Sequence, residues 1–85
     1  MNGVRLVTSK AALTEIKRAI ENSPRNAYVA ELHLQVIKYA NELNGVTGRE
    51  FCEALGIGAS FGTEYTKMRK IAGRLYDAGL EASRI

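Results

Sequence analysis

The chain has 85 residues, a length for which we expect a single domain and no second one, because a compact core typically serves about 50 to 200 residues. Hydrophobic residues make up 46% of it and charged residues 25%, values that exclude the low-hydrophobicity, high-charge composition of disordered proteins. The formal net charge of +3 favours a polyanionic partner only mildly, so the placement of the charges matters more than their total.

The first predicted helix spans about residues 10–22 and follows a segment, residues 1–8, that has no helical period and is expected to be a flexible arm. The apolar residues of this helix that recur at spacings of three and four are Leu13, Ile16 and Ile20. That spacing is typical of an amphipathic helix. Thr8 can cap its first turn, and Pro24 prevents it from continuing because proline lacks an amide proton.

The second predicted helix spans about residues 27–43 and is apolar around most of its circumference. Its apolar residues are Tyr28, Val29, Leu32, Leu34, Val36, Ile37, Ala40 and Leu43. The strip expected to face solvent consists of Glu31, Gln35, Lys38 and Glu42. A helix with so wide an apolar arc normally packs against neighbours on two sides, so we expect it to be the central one. Asn44 and Gly45 are expected to end it.

The third predicted helix spans about residues 48–55. Thr47 and Glu50 have the T-x-x-E spacing of a capping box, in which the hydroxyl and the carboxylate each bond an amide near the helix start. Gly56 marks its end, since glycine readily takes the left-handed conformation found there.

The fourth predicted helix spans about residues 61–78, with Ser60 as its expected cap and Gly79 at its end. The residues that follow the inward period are Tyr65, Met68, Ala72 and Leu75. Residues 80–85 are expected to form a tail. Together the elements predict an all-α fold, a compact bundle of four helices of which the last two form a helix-turn-helix.

The fourth helix concentrates positive charge. From residue 61 to residue 76 it carries the single carboxylate Glu64 against the four cations Lys67, Arg69, Lys70 and Arg74. At about 100° per residue the side chains that cluster opposite its apolar face are Thr63, Lys67, Lys70 and Arg74, with Thr66 next to them. Arg and Lys can bind phosphates and guanine, and Thr can contact base edges, so this face predicts DNA binding. The amides near Ser60 could also bind a phosphate.

The stretch from Thr47 onward resembles the helix-turn-helix family, and more loosely the small bacterial proteins that contain a helix-turn-helix-like domain. The residues that match its first helix, its turn and a later core position are Thr47, Phe51, Cys52, Leu55, Gly56, Ile57 and Tyr65. Gly62 departs from the family pattern, which usually has a branched apolar residue there, and the fourth helix is longer than most recognition helices.

The resemblance implies a small transcriptional regulator, bacterial or from a phage, that places the helix 61–78 in the major groove of double-stranded DNA. It assigns the recognition role to Ser60, Thr63, Thr66, Lys67, Lys70 and Arg74, with Arg49 on the helix that contacts the DNA backbone. One recognition helix reads few base pairs, so a homodimer is expected. A second hypothesis remains open, in which the chain is a helical protein-interaction module, an adaptor or antitoxin-like subunit, without DNA binding.

Catalytic and metal chemistry have no support in the sequence. The only cysteine, Cys52, cannot form an internal disulfide, and no Cys and His residues have metal-ligand spacing. The glutamates are spread along solvated faces, and His33 at the edge of an apolar arc is expected to pack rather than react. No apolar run has signal-peptide or membrane-spanning length. We therefore expect a cytoplasmic protein that is not an enzyme, with no metal, cofactor or membrane partner.

Overall fold

Four α-helices make up most of residues 8–85, the part of the chain that the computed structural model describes. They are α1 (Ser9–Glu21), α2 (Tyr28–Lys38), α3 (Gly48–Leu55) and α4 (Phe61–Asp77), with single 3₁₀ turns at Arg25–Ala27 and Ala82–Arg84. The described residues contain no strand, so the predicted all-α bundle is confirmed. Of the predicted arm only Thr8 lies within the described residues.

The predicted helix ends are confirmed at four places. The Thr8 hydroxyl accepts a hydrogen bond from the first turn of α1, and Gly56 ends α3 in the left-handed conformation at φ +69°. Both halves of the capping box form, since the Thr47 hydroxyl accepts the Glu50 amide proton at 3.1 Å and the Glu50 carboxylate accepts that of Thr47 at 2.9 Å. Gly79, at φ +111°, follows the last turn of α4.

The cap expected at the start of α4 is wrong. Ser60 already has helical backbone angles, and its hydroxyl makes no capping hydrogen bond. The chain instead enters α4 through tight backbone turns, in which the amides of Phe61 and Gly62 donate to the carbonyl groups of Gly58 and Ala59. The Gly62 amide, which a serine cap could have bonded, is thereby already paired.

The second helix is shorter than predicted, because α2 ends at Lys38 rather than near residue 43. The hydroxyl of Tyr76, on α4, donates to the carbonyl oxygens of Ile37 and Lys38 at 2.6 and 3.1 Å. This contact satisfies carbonyl groups that a continuing helix would bond to its own amides. The chain then runs through turns to Gly45, whose φ of +90° closes the segment.

The core lies where all four helices meet, and α2 packs against both α1 and α4 as expected of a central helix. The fully or almost fully buried residues include Ile16, Leu32, Val36, Leu43, Phe51, Cys52, Leu55 and Tyr65. Three expectations for α2 are wrong. Val29 is 58% exposed and Leu34 is 41% exposed, although both belong to the predicted apolar arc. Gln35 is buried rather than solvated, with its amide donating to the Glu31 carboxylate at 2.6 Å. That bond satisfies the side chain inside the protein.

The helices α3 and α4 meet through glycine backbone and stacked rings. A β-carbon on Gly48 would lie 3.0 Å from both the α-carbon and the carbonyl oxygen of Gly62, so the starts of the two helices touch without side chains between them. One turn further on, the ring of Phe51 stacks on that of Tyr65 at 4.5 Å between centroids. The tight position of this crossing is Gly48, since a β-carbon at Gly62 would meet Gly48 only at an ordinary 3.7 Å.

Candidate nucleic-acid interface

The predicted cluster on α4 is a continuous exposed surface. Its members, here called the basic face, are Thr63, Lys67, Lys70 and Arg74, and all four are solvent-exposed. The 3₁₀ turn at Ala82–Arg84 lies against α2, so this part of the tail packs elsewhere in the fold. The geometry therefore leaves the basic face open to a partner along successive turns of α4.

The cations of the proposed site differ in their local partners. Lys67 lies 3.5 Å from the Glu64 carboxylate and Arg49 lies 3.5 Å from that of Glu53. Neither Lys70 nor Arg74 forms an ion pair within residues 8–85. Exposed pairs on one helix are weak and screened by salt, so all of these side chains can be recruited by a polyanion, and Lys70 and Arg74 most easily.

The remaining predicted residues lie around the starts of α3 and α4. Ser60 and Thr66 are exposed, but the Thr66 hydroxyl donates to the Gly62 carbonyl of its own helix at 3.1 Å. Arg49 directly follows Gly48, whose backbone touches Gly62. The structure thus places the start of α3, with Arg49, beside the start of α4.

A recess of about 500 Å³ opens between the start of α3 and the middle of α4. It is lined by Val46, Thr47, Gly48, Tyr65, Thr66, Arg69 and Lys70. Lys70 belongs both to this recess and to the basic face, so the two features are continuous. The recess brings the cations Arg69 and Lys70 together beside the start of α3, where the Glu50 carboxylate already caps the helix. The two cations favour an anion.

Arg69 is the residue of this site that the sequence reasoning did not select. Its guanidinium carbon lies 5.9 Å from the centre of the Tyr65 ring, and its Nε is buried without a hydrogen-bond partner among the described residues. Burial raises the pKa of the Tyr65 hydroxyl, and the positive charge of Arg69 opposes that shift. The spacing of four from a core tyrosine was the available signal, because residues four apart lie on one helix face.

The tyrosine that supports Arg69 is itself fixed by the chain that precedes α3. The Tyr65 hydroxyl donates to the carbonyl oxygens of Val46 and Leu43 at 2.7 and 3.4 Å. Tyr65 therefore ties the segment before α3 to the middle of α4. Val46 and Tyr65, joined by this contact, both line the recess.

A second polar contact joins α2 to α4 at the edge of the basic face. The Nε2 atom of His33 lies 3.2 Å from a Glu64 carboxylate oxygen, its Nδ1 atom lies 2.7 Å from the Val29 carbonyl oxygen, and its ring packs edge-on against Phe61 at 5.2 Å. The hydrogen bond from His33, and next the charge of Lys67, hold the pKa of Glu64 below its usual value. His33 is a packing histidine, as expected, and it also fixes a carboxylate.

We expect the substitution His33→Ala to raise the pKa of Glu64 toward its ordinary value, and Lys67→Ala to raise it less. A lowered carboxyl pKa in the folded state means that this contact stabilises the fold above the unfolded-state pKa of glutamate. That stability is lost as the pH falls through the lowered folded-state value. Carbon-detected NMR titration of the Glu64 carboxyl measures the shift. An equal Glu64 pKa in the wild-type protein and His33→Ala would contradict this account.

The C-terminal half of α4 exposes apolar side chains next to the basic face. Ile71 is 45% exposed and Leu75 is 38% exposed, although Leu75 was expected to point inward. The core below α4 is already filled at that level by Ala72, which is fully buried, and by Tyr76, which reaches α2. Ile71, Leu75 and Ala78 form the apolar strip, and Lys70 and Arg74 border it.

Residues 8–85 show neither a metal-binding cluster nor a membrane-spanning helix. No group of three or more His, Cys, Asp and Glu side chains in this part of the chain is arranged to hold a metal ion. None of the helices formed by these residues is both long enough and apolar enough to cross a membrane.

Comparison with known proteins identifies the family. A family model described as an HTH-like domain matches residues 8–78, from the cap of α1 to the end of α4. This match covers most of the chain, so the chain belongs to the HTH-like domain family. Comparisons with curated proteins and with solved structures give no match.

Proposed function

We propose that this member of the HTH-like domain family binds double-stranded DNA and regulates transcription by occupying a DNA site. The observation that carries the proposal is the exposed basic face of α4, in which Lys70 and Arg74 have no ion-pair partner within the described residues. Cations that are already solvated and unpaired release counterions from DNA at little cost in broken protein contacts. The diameter of an exposed α-helix, about 10–12 Å with its side chains, also fits the width of the major groove.

The residues of the site then divide into two roles. Lys67, Lys70 and Arg74 lie on successive turns of the helix, where they reach phosphates or guanine, and Thr63 can contact a base edge or a thymine methyl group. The recess between the start of α3 and the middle of α4 suits a backbone phosphate, held by Arg69 and Lys70, with Arg49 at its rim. Phosphate contacts of this kind set the position of α4 in the groove.

A single α4 reads only a few base pairs, so we propose that two copies bind two half-sites. The residual apolar surface of α1 and the tail after Gly79 are the surfaces proposed for that contact. They lie outside the basic face and would leave α4 of each copy available to DNA.

We expect the double substitution Lys70→Ala/Arg74→Ala to weaken DNA binding by roughly tenfold to a hundredfold at low salt. It should also reduce the slope of log affinity against log salt by about 2, because each lost phosphate contact removes about 0.9 from that slope. Titration of a labelled duplex by fluorescence anisotropy at several salt concentrations measures both quantities. Since the operator is unknown, a duplex pool of random sequence serves as the probe.

Lys17→Ala/Arg18→Ala on α1 is the matched control, because it removes one exposed lysine and one exposed arginine from another helix. It changes the net charge by the same amount and should leave the salt slope almost unchanged. If the two double variants lose affinity equally, binding reflects net charge rather than α4. Wild-type protein that does not bind the duplex pool at low salt would exclude the proposal.

A further inference from the structure

The apolar strip of α4 has no role in the fold or in DNA binding as described. Ile71 and Leu75 are large, apolar and substantially exposed, and together with Lys70, Arg74 and Ala78 they line a shallow groove of about 500 Å³. Single exposed apolar residues are ordinary, but Ile71, Leu75 and Ala78 are contiguous on one helix face and bordered by two cations. Phosphate groups would gain nothing from these side chains.

The spacing of the strip matches a helical partner. Residues 71, 75 and 78 follow one another at spacings of four and three, which aligns them along a single face of α4. Such a face pairs with the apolar face of a second helix, whose own anchors repeat at the same spacings. The groove is open and shallow, so the partner contributes the other wall.

The charges beside the strip determine which sign of charge a partner's surface should carry. Lys70 and Arg74 border the apolar residues directly. Asp77, at about 100° per residue, falls on the far side of Lys70 from Ile71. A second copy of this chain would bring the same two cations against their equivalents, and like charges across an interface are unfavourable. Acidic side chains flanking an apolar stripe would instead pair with both cations.

We propose that the apolar strip, with Lys70 and Arg74, is the docking surface for an acidic amphipathic helix of another protein. Its leucine-like anchors cover Ile71, Leu75 and Ala78 while its carboxylates pair with Lys70 and Arg74. Docking itself does not depend on the proposed function. Because the same two cations belong to the basic face, however, a bound partner occupies residues that DNA binding would need, and the two ligands exclude each other.

The test uses a labelled designed peptide of roughly four helical turns, with leucines at spacings of three and four and glutamates between them. An isomer of the same composition, with its leucines spread around the helix, separates amphipathic docking from attraction by charge alone. We expect the full chain to bind the amphipathic peptide about tenfold more tightly than the isomer in fluorescence anisotropy. Ile71→Ala/Leu75→Ala should weaken that binding by at least about tenfold, because docking would bury the exposed part of both side chains.

Val29→Ala is the matched control, since it removes an exposed apolar side chain of α2 and should leave peptide affinity unchanged. Lys70→Ala/Arg74→Ala provides a second variant that leaves the packing of the strip intact, and we expect it to weaken peptide binding several-fold. Equal affinity for the two peptides, or unchanged affinity in both double variants, would overturn the proposal. Analytical ultracentrifugation provides a further test. If the wild-type protein is a dimer and Ile71→Ala/Leu75→Ala is a monomer, a second copy of the chain covers the strip, and the proposal is overturned.

Competition with the duplex pool separates this inference from the proposed function. Displacement of the peptide by the duplex supports the shared use of Lys70 and Arg74. Peptide binding that survives while the chain fails to bind any duplex would contradict DNA binding and still support the docking surface. Simultaneous binding of peptide and duplex would overturn the inference that the two ligands exclude each other.

Discussion

Phe51→Ala is expected to lower the free energy of unfolding by about 3–5 kcal/mol, the range found when a fully buried aromatic ring is removed from a core. Phe51 is 0% exposed and stacks on Tyr65 at 4.5 Å and on Phe61 at 6.0 Å between ring centroids. Its removal leaves a cavity between α3 and α4 that their backbones cannot close, because the two helices already touch at Gly48 and Gly62. Small domains have only about 5–15 kcal/mol of stability in total.

Urea unfolding followed by circular dichroism measures this loss, and the midpoint of thermal unfolding should fall by at least about 12 °C for a domain of this size. Val29→Ala is the control, since it shortens a side chain that is 58% exposed and should change the stability by less than about 0.5 kcal/mol. A loss below about 1.5 kcal/mol in Phe51→Ala would mean that the ring stack is not the centre of the core. The stack would then not be what supports Tyr65 and Arg69 beneath the recess.

Local hydrogen-bonding rules account for the helix ends that could be predicted from the sequence. The Thr8 cap, the capping box of Thr47 and Glu50, and the left-handed Gly56 each depend on residues within one turn of each other. Such contacts are specified by the sequence alone. They also fix the start of α3, which forms one side of the recess.

The helix end that the sequence did not predict depends on a distant residue. The end of α2 at Lys38 is set by Tyr76, whose hydroxyl reaches two α2 carbonyl groups from the far end of α4. The apolar period continues through Leu43, which is buried in spite of the change in backbone. The apolar period therefore identified Leu43 correctly as a core residue. It predicted the wrong conformation for the segment after Lys38, because a residue can be buried without belonging to a continuous helix.

The same distinction applies to the candidate site. A helical wheel predicted the exposed basic face, since exposure of charged residues on an amphipathic helix is a local property. It could not predict Arg69, because the recess forms only when the start of α3 lies beside the middle of α4. The outward position of Leu75 has a similar cause, because Ala72 and Tyr76 occupy the inward positions of that turn.

Gly48→Ala is expected to lower the free energy of unfolding by about 1–3 kcal/mol, the usual cost of forcing an extra carbon into a packed contact. The new β-carbon would lie 3.0 Å from the Gly62 α-carbon and carbonyl oxygen, and backbone atoms cannot rotate away as a flexible side chain can. In an open helix position the same change would instead stabilise the protein by roughly 0.5–1 kcal/mol, because alanine favours the helix more than glycine does.

Gly73→Ala is therefore the matched control for Gly48→Ala, since a β-carbon at Gly73 on α4 meets nothing within 4 Å. It should raise the stability in the same urea titration in which Gly48→Ala lowers it. Gly62→Ala should lower the stability less than Gly48→Ala does, because the nearest contact of its β-carbon is an ordinary 3.7 Å.

Gly48→Ala can relieve its overlap only by moving the start of α3 away from α4. The amide NMR signals of Thr66 and Arg69, on the recess wall, should then shift in Gly48→Ala and stay in place in Gly73→Ala. Equal stability of the two variants would show that α3 and α4 do not touch at this point.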